Sequence, residues 1–142
     1  MRFMILLKAD QDTEAGKMPS EQLLGEMMAF NQQLVDAGVM LGGEGLQPTA
    51  KGARVFFAEG KTSVSEGPFP LTGEQLAGFW LWQCASKEEA IEWVRKVPMP
   101  MASGKAEIEI RQLFDAADFG DEFTPEMREQ EEKMRAQVAA RQ

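Results

Sequence analysis

The 142-residue chain contains no histidine, no tyrosine and one cysteine, Cys84. Without histidine there is no Ser–His or Cys–His nucleophile pair, no imidazole base and no imidazole-bound zinc. One cysteine excludes an internal disulfide framework and a thiolate metal cage. Its place in an apolar stretch predicts a small buried hydrophobe. Acid–base work, if there is any, falls to Asp, Glu, Lys or the backbone. Runs of positive charge are also missing: 15 basic residues face 23 acidic ones, a net charge of -8. That balance argues against a nucleic-acid partner. The N-terminal apolar run, Met1 to Lys8, is too short for a signal segment or a bilayer span. The expectation is a soluble, cytoplasmic chain with no membrane association. No phosphate loop, dinucleotide fingerprint or metal-ligand spacing occurs, so neither cofactor nor metal is expected.

What is present suits one domain with a real core: 44% of residues are hydrophobic, and the length suffices without disulfides or metals. Arg2 to Ala9 is apolar on both faces, as in a central strand. Asp10 to Pro19 reads as a polar loop. Ser20 caps a helix whose stripe is Leu23, Met27, Phe30 and Leu34, widened by Leu24, Met28 and Val35; Gly38 ends it. A strand from Val39 runs into Gly42-Gly43-Glu44-Gly45, where glycines signal close backbone approach. Arg54 to Ala58 and Lys61 to Ser65 make a hairpin about Glu59-Gly60. After the Gly67-Pro68 corner, Leu76 to Cys84 is a strand with Phe79 and Leu81 on one face and Trp80, Trp82 and Cys84 on the other. Ser86 and Glu89 form a capping box for a helix that stops at Pro98. Ala106 to Phe114 alternates as a half-buried strand. Thr124-Pro125-Glu126 opens a charged helix with a thin stripe of Met127, Met134 and Val138. Met99, Pro100 and Met101 read as a pocket lid or as packing.

The order β-α-β, hairpin, β-α-β predicts an α+β fold: a ferredoxin-like antiparallel sheet with two helices on one face, and a C-terminal helical arm. The first and fifth strands are apolar on both sides, so the uncovered face predicts a homodimer through face-to-face sheets, a dimeric α+β barrel. In that arrangement Trp80 and Trp82 line the space between the sheets.

The stretches GGEGLQP (Gly42 to Pro48), GKTSVSEGPF (Gly60 to Phe69), EQLAGFWLW (Glu74 to Trp82) and EEAIEWVRKVP (Glu88 to Pro98) together resemble the YCII-related family, in its DGPF-motif branch. The resemblance covers about residues 2–114 and leaves 115–142 as an acidic arm. It implies a dimeric α+β barrel. It also implies two classes of function: proposed enzymes with a His-Asp pair, and members associated with extracytoplasmic-function sigma factors. The motif's Asp is Glu66 here, and Pro70-Leu71-Thr72-Gly73-Glu74 replaces the family's Ala-Glu-Thr-Lys-Glu, keeping only Thr72 and Glu74. His-Asp chemistry cannot carry over to a chain without histidine.

Several residues then carry more than one reading each. Glu66 either pins the corner through backbone N–H groups or acts as an acid or base in a pocket. Glu44 is either a solvated loop acid or the partner of Glu66 in a carboxylate pair. Lys8 is either solvated, or pairs with one of these acids, or orients an anionic ligand. Arg111 either forms a cross-strand ion pair or serves the same ligand. Phe69, Trp80 and Trp82 are either core and dimer interface or the walls of a small-molecule site. The leading functional reading is a homodimer with a small organic ligand and lyase- or isomerase-type acid–base chemistry; the alternative is a non-catalytic accessory module that contacts a protein partner.

Overall fold

Alternating side chains decide the main sheet. Strand β1 (Arg2–Lys8) buries Phe3 and Ile5 and leaves Met4 and Leu6 half-buried on the opposite face. It pairs antiparallel with β5 (Leu76–Gln83) on one side and with β6 (Ile108–Gln112) on the other. Strand β2 (Met40–Gly45) completes the far edge, giving the order β2-β5-β1-β6. Phe3 lies opposite Trp82 and Ile5 opposite Trp80, so the large side chains of the two central strands share one face.

Helices α2 (Glu21–Asp36) and α3 (Lys87–Val94) cover that face. Phe30 and Leu34 of α2 and Ala90 of α3 join Phe3, Ile5, Trp80, Trp82 and Cys84 in one buried cluster. Each such large side chain stabilises the fold by about 1.5–3 kcal/mol when taken fully out of water. Phe30 meets Trp80 edge-on, at 5.7 Å between ring centroids, the geometry aromatic quadrupoles favour. The α2 stripe is narrower than its sequence suggests: Leu24, Met28 and Val35 are exposed. They lie beyond the arc that one sheet face can cover.

The caps follow chemistry. Ser20 Oγ accepts the Leu23 N–H and Ser86 Oγ the Glu89 N–H. The Glu89 carboxylate accepts from Ala85 N at 2.6 Å, one residue before the cap. The expected polar loop after β1 holds a short helix, α1 (Gln11–Glu14), because Asp10 and Thr13 exchange capping bonds.

Gly43 and Gly78 let β2 and β5 close up. A Cβ on Gly43 would stand 2.6 Å from Trp80 Cδ1, and one on Gly78 would stand 3.0 Å from the Glu44 carbonyl oxygen. Within the glycine-rich run, Gly43 is therefore the position fitted to an indole.

A second, two-stranded sheet is the hairpin of β3 (Ala53–Ala58) and β4 (Lys61–Glu66). Glu59 and Gly60 both take positive φ, 51° and 73°, as the tight hairpin turn requires. Val55, Phe56, Phe57 and Val64 are exposed on it.

The described residues are 1–98 and 105–142 of this computed structural model, so Met99, Pro100 and Met101 lie outside them. The chain divides into two units, Met1–Gln112 and Leu113–Gln142. In the second, a 3-10 segment (Ala116–Glu122) precedes α4 (Pro125–Ala140), capped by Thr124. Arg128 donates to the carbonyls of Phe123 and Gly120. Glu129–Lys133 and Glu131–Arg135 pairs line the helix, while Met127, Met134 and Val138 are about half exposed. Among the described residues no helix is long and apolar enough to cross a membrane.

Candidate functional site

The Gly67-Pro68 corner is held by backbone and by Thr49. Gly67 N donates to Gly52 O at 2.9 Å, and Phe69 N donates to Thr49 Oγ1 at 3.1 Å. Thr49 in turn gives both its donors to one carboxylate: its N–H reaches Glu14 Oε1 at 3.1 Å and its hydroxyl reaches Glu14 Oε2 at 2.6 Å. The carboxylate that anchors the corner is therefore Glu14, twenty-odd positions before the glycine run and invisible to any local motif. Glu66 accepts none of these bonds. It ends β4 opposite Ala53 and is exposed, because the corner's N–H groups are already taken by Gly52 and Thr49.

Glu44 sits on β2 opposite Phe79 and is exposed too. The two acids belong to different sheets, and neither lines either of the two main clefts.

The larger cleft, of about 980 Å³, is lined by the ends of β1 and β5, the α1 loop, the first turns of α2 and Lys105 to Glu107. Leu23, Leu24 and Met27 supply apolar wall, and Lys8 lies at its edge. The Lys8 side chain is only 8% exposed. It donates to Glu74 Oε2 at 2.6 Å and stands 3.4 Å from Glu109 Oε1. So Lys8 pairs with Glu74 and Glu109, not with Glu44 or Glu66. The Glu74 hydrogen bond is the main cause that holds its ammonium above the usual lysine range, against partial burial. Glu109 lies opposite Leu6 across the β1–β6 ladder. Arg111, two residues on, donates to Glu109 Oε2 at 3.1 Å. The Arg111 ion pair is thus within β6, since residues i and i+2 share a face; the cross-strand partner of Glu109 is Lys8. Arg111 first, and Lys8 after it, hold the Glu109 carboxyl below its usual range, against partial desolvation.

Trp80 and Trp82 do not lie on the sheet face expected to meet a partner sheet. They are 6% and 0% exposed and lie under the helices. Trp80 Nε1 donates to Asn31 Oδ1 at 2.9 Å. Met4, Leu6, Phe79 and Leu81 occupy the other face instead.

Phe69 lines the second cleft, of about 570 Å³, with Thr49, Lys51, Arg54 and Gln75. The Arg54 guanidinium lies 3.9 Å over its ring. Gln75, the buried polar residue here, takes the Thr72 N–H on its carbonyl and donates to Pro70 O. Burial raises the Cys84 thiol, which fits a packing role. Among the described residues no group of three His, Cys, Asp or Glu side chains is placed to hold a metal ion.

Sequence reasoning missed Glu14 and Thr49 and gave Glu74 no role. For Glu74 a signal existed, since it is one of two residues kept in the stretch after the Gly-Pro-Phe motif. For Glu14 and Thr49 there was none, because their bond spans 35 positions.

Comparison with known proteins agrees with this domain. The profile of the YCII-related domain matches residues 1–114. An uncharacterized protein of Rhizobium meliloti (strain 1021) is 33% identical over 97 residues, covering 67% of this chain and 78% of that protein.

Proposed function

The chain belongs to the YCII-related family, and from that premise we propose that it is a small-molecule-binding protein, working as a homodimer, whose site is the 980 Å³ cleft beside Lys8. The ligand is a small organic acid with an apolar body. Leu23, Leu24 and Met27 receive the body, and Lys8 receives the carboxylate. The observation that carries this reading is the asymmetry of the Lys8–Glu74 pair. The lysine side chain is 8% exposed and fixed, while the glutamate is 77% exposed. Glu74 is free to move into water, and a ligand carboxylate that takes its place keeps the Lys8 ammonium paired, so the exchange leaves no uncompensated charge.

The strand order β2-β5-β1-β6 with α2 and α3 on one face supports the ferredoxin-like, DGPF-type description. The apolar residues of the other face support a dimer with facing sheets. Glu44 and Glu66 have no part in this function, because neither lines this cleft. The lyase- or isomerase-type reading, which rested on them as a pair, loses its acid and base.

Calorimetric titration with octanoate tests the reading. The expected result is saturable binding that Lys8→Met weakens by about tenfold or more, about 1.4 kcal/mol. Undiminished binding by a folded Lys8→Met variant, or no binding by the parent protein, overturns it. Light scattering of the same samples tests the dimer separately: a monomer at micromolar concentration sinks it.

A second reading, as an accessory module for a protein partner, is favoured by one observation. Val55, Phe56, Phe57 and Val64 are all more than half exposed on a single hairpin, which is more apolar surface than a short exposed element ordinarily carries.

A further inference from the structure

We propose that the second cleft, between the Thr49–Ala53 turn and Phe69, is a separate binding site for an oxyanion, the carboxylate or phosphate group of a small metabolite. Its lining includes Lys51 and Arg54 and not one carboxylate. In a chain with 23 acids to 15 bases, the charged residues lining this cleft are two cations, and the Glu14 carboxylate bonded to its Thr49 is committed to that residue's N–H and hydroxyl. Such a cleft concentrates anions that the rest of the surface repels.

The cations are also uncommitted. Among the described residues neither Lys51 nor Arg54 has a carboxylate partner, as is also true of Lys61 and Lys87; what sets these two apart is that both line one cleft. Arg54 is nevertheless held in place: its guanidinium stacks on Phe69 at 3.9 Å. Stacking uses the face of the guanidinium and leaves its N–H edge for a planar, bidentate oxyanion. Phe69 is itself fixed by the bond from its N–H to Thr49 Oγ1, and Thr49 by Glu14. The chain of contacts from Glu14 to Arg54 thus preorganises the donor, and less side-chain freedom is lost on binding. Lys51, at the end of the Thr49–Lys51 turn, adds a point charge. The volume, about 570 Å³, fits a metabolite-sized ligand.

The site is distinct from the cleft at Lys8 and does not depend on the reading given to that cleft. It is tested by NMR titration of the full chain, following the Arg54 side-chain N–H and the Lys51 backbone N–H. Inorganic phosphate and succinate are the two probes, with sodium chloride at matched ionic strength as the blank. The expected result is saturable shifts at Arg54 and Lys51 with at least one probe and none with chloride. Which probe saturates first separates phosphate from carboxylate ligands. Arg54→Met should weaken binding by about tenfold. Arg135→Met removes the same charge from α4 and should leave binding intact. Linear shifts without saturation, or equal weakening by Arg135→Met, overturn the proposal. Phe69→Leu keeps both cations and loses the stacking platform, so it should weaken binding without abolishing it; an unchanged affinity there, with Arg54→Met also silent, likewise overturns it.

Discussion

Glu14 grips Thr49 with both carboxylate oxygens, one on the backbone N–H at 3.1 Å and one on the hydroxyl at 2.6 Å. Through the same hydroxyl oxygen Thr49 accepts the N–H of Phe69. One side chain therefore ties the α1 loop, the turn before β3 and the corner after β4. Thr49→Val removes the hydroxyl and leaves two partners without it. The expected cost is about 1–3 kcal/mol, the range for a half-buried hydrogen bond to a charged group. Glu14→Gln keeps the acceptor on one arm and should cost less. In a double-mutant cycle followed by urea unfolding, the two changes should couple; strictly additive effects would show that the bonds carry no energy.

Gly67 packs so close to Thr49 that no other residue fits. A Cβ there would lie 1.7 Å from the Thr49 carbonyl oxygen, and that atom is backbone in a turn, unable to retreat. Gly67→Ala should therefore destabilise by about 3 kcal/mol or more. Gly43→Ala meets the Trp80 ring at 2.6 Å, a buried side chain with some room to tilt, and should cost about 1–3 kcal/mol. Gly42 has nothing within 4 Å of its Cβ position, so Gly42→Ala is the control and should be nearly neutral. Thermal unfolding of the three variants ranks them; equal losses at Gly42 and Gly43 would refute the close approach to Trp80.

These glycines mark what the sequence made legible. Periodicity located β1, α2, the hairpin, β5, α3 and α4, because each has its own internal pattern. The alternation of β5 correctly separated Phe79 and Leu81 from Trp80 and Trp82. What it could not give was the destination of each face. The tryptophans go under the helices, since Phe30 and Ala90 are there to receive them, and the opposite face keeps Met4, Leu6, Phe79 and Leu81. Local pattern likewise misplaced the chemistry at the corner. Glu66 is adjacent to the turn in sequence, but the carboxylate that binds there, Glu14, arrives from a loop read as featureless. The Asp10–Thr13 capping bonds fold that loop into α1, whose last residue is Glu14, but no local pattern names Thr49 as its partner.

The Lys8–Glu109–Arg111 chain makes stability depend on pH at both ends of the scale. Hydrogen bonding to Glu74, chiefly, raises the folded-state Lys8 ammonium. Its contribution is complete below the ordinary lysine value and is lost as pH rises through the raised folded value. Arg111, followed by Lys8, lowers Glu109. That contribution is complete above the ordinary glutamate value and is lost as pH falls through the lowered folded value. Urea midpoints should be flat near neutrality and fall at each extreme. In Lys8→Met the alkaline decline attributable to this lysine should disappear, and the acid decline should shrink, because Arg111 alone then holds Glu109. High salt should weaken the Arg111–Glu109 contact, whose arginine is exposed, more than the contacts of the shielded Lys8. A gap between parent and variant that stays constant from about pH 3 to about pH 11 would contradict the linkage.

Glu44 and Glu66 provide the sharpest separation between a carboxylate that looks functional in sequence and one that is used. Both are exposed, they lie in different sheets, and both stand outside the two clefts. The double variant Glu44→Gln/Glu66→Gln preserves shape and removes both charges. Its stability should stay within about 0.5 kcal/mol of the parent, as for surface positions without a named partner. Octanoate affinity at the Lys8 cleft should also be unchanged, whereas Glu74→Gln, which removes the competing counter-ion of Lys8, should strengthen it. Calorimetry on these two variants gives opposite outcomes for the two arrangements. If the Glu44/Glu66 double variant loses ligand affinity and Glu74→Gln does not change it, the binding site belongs with the former pair and not with Lys8.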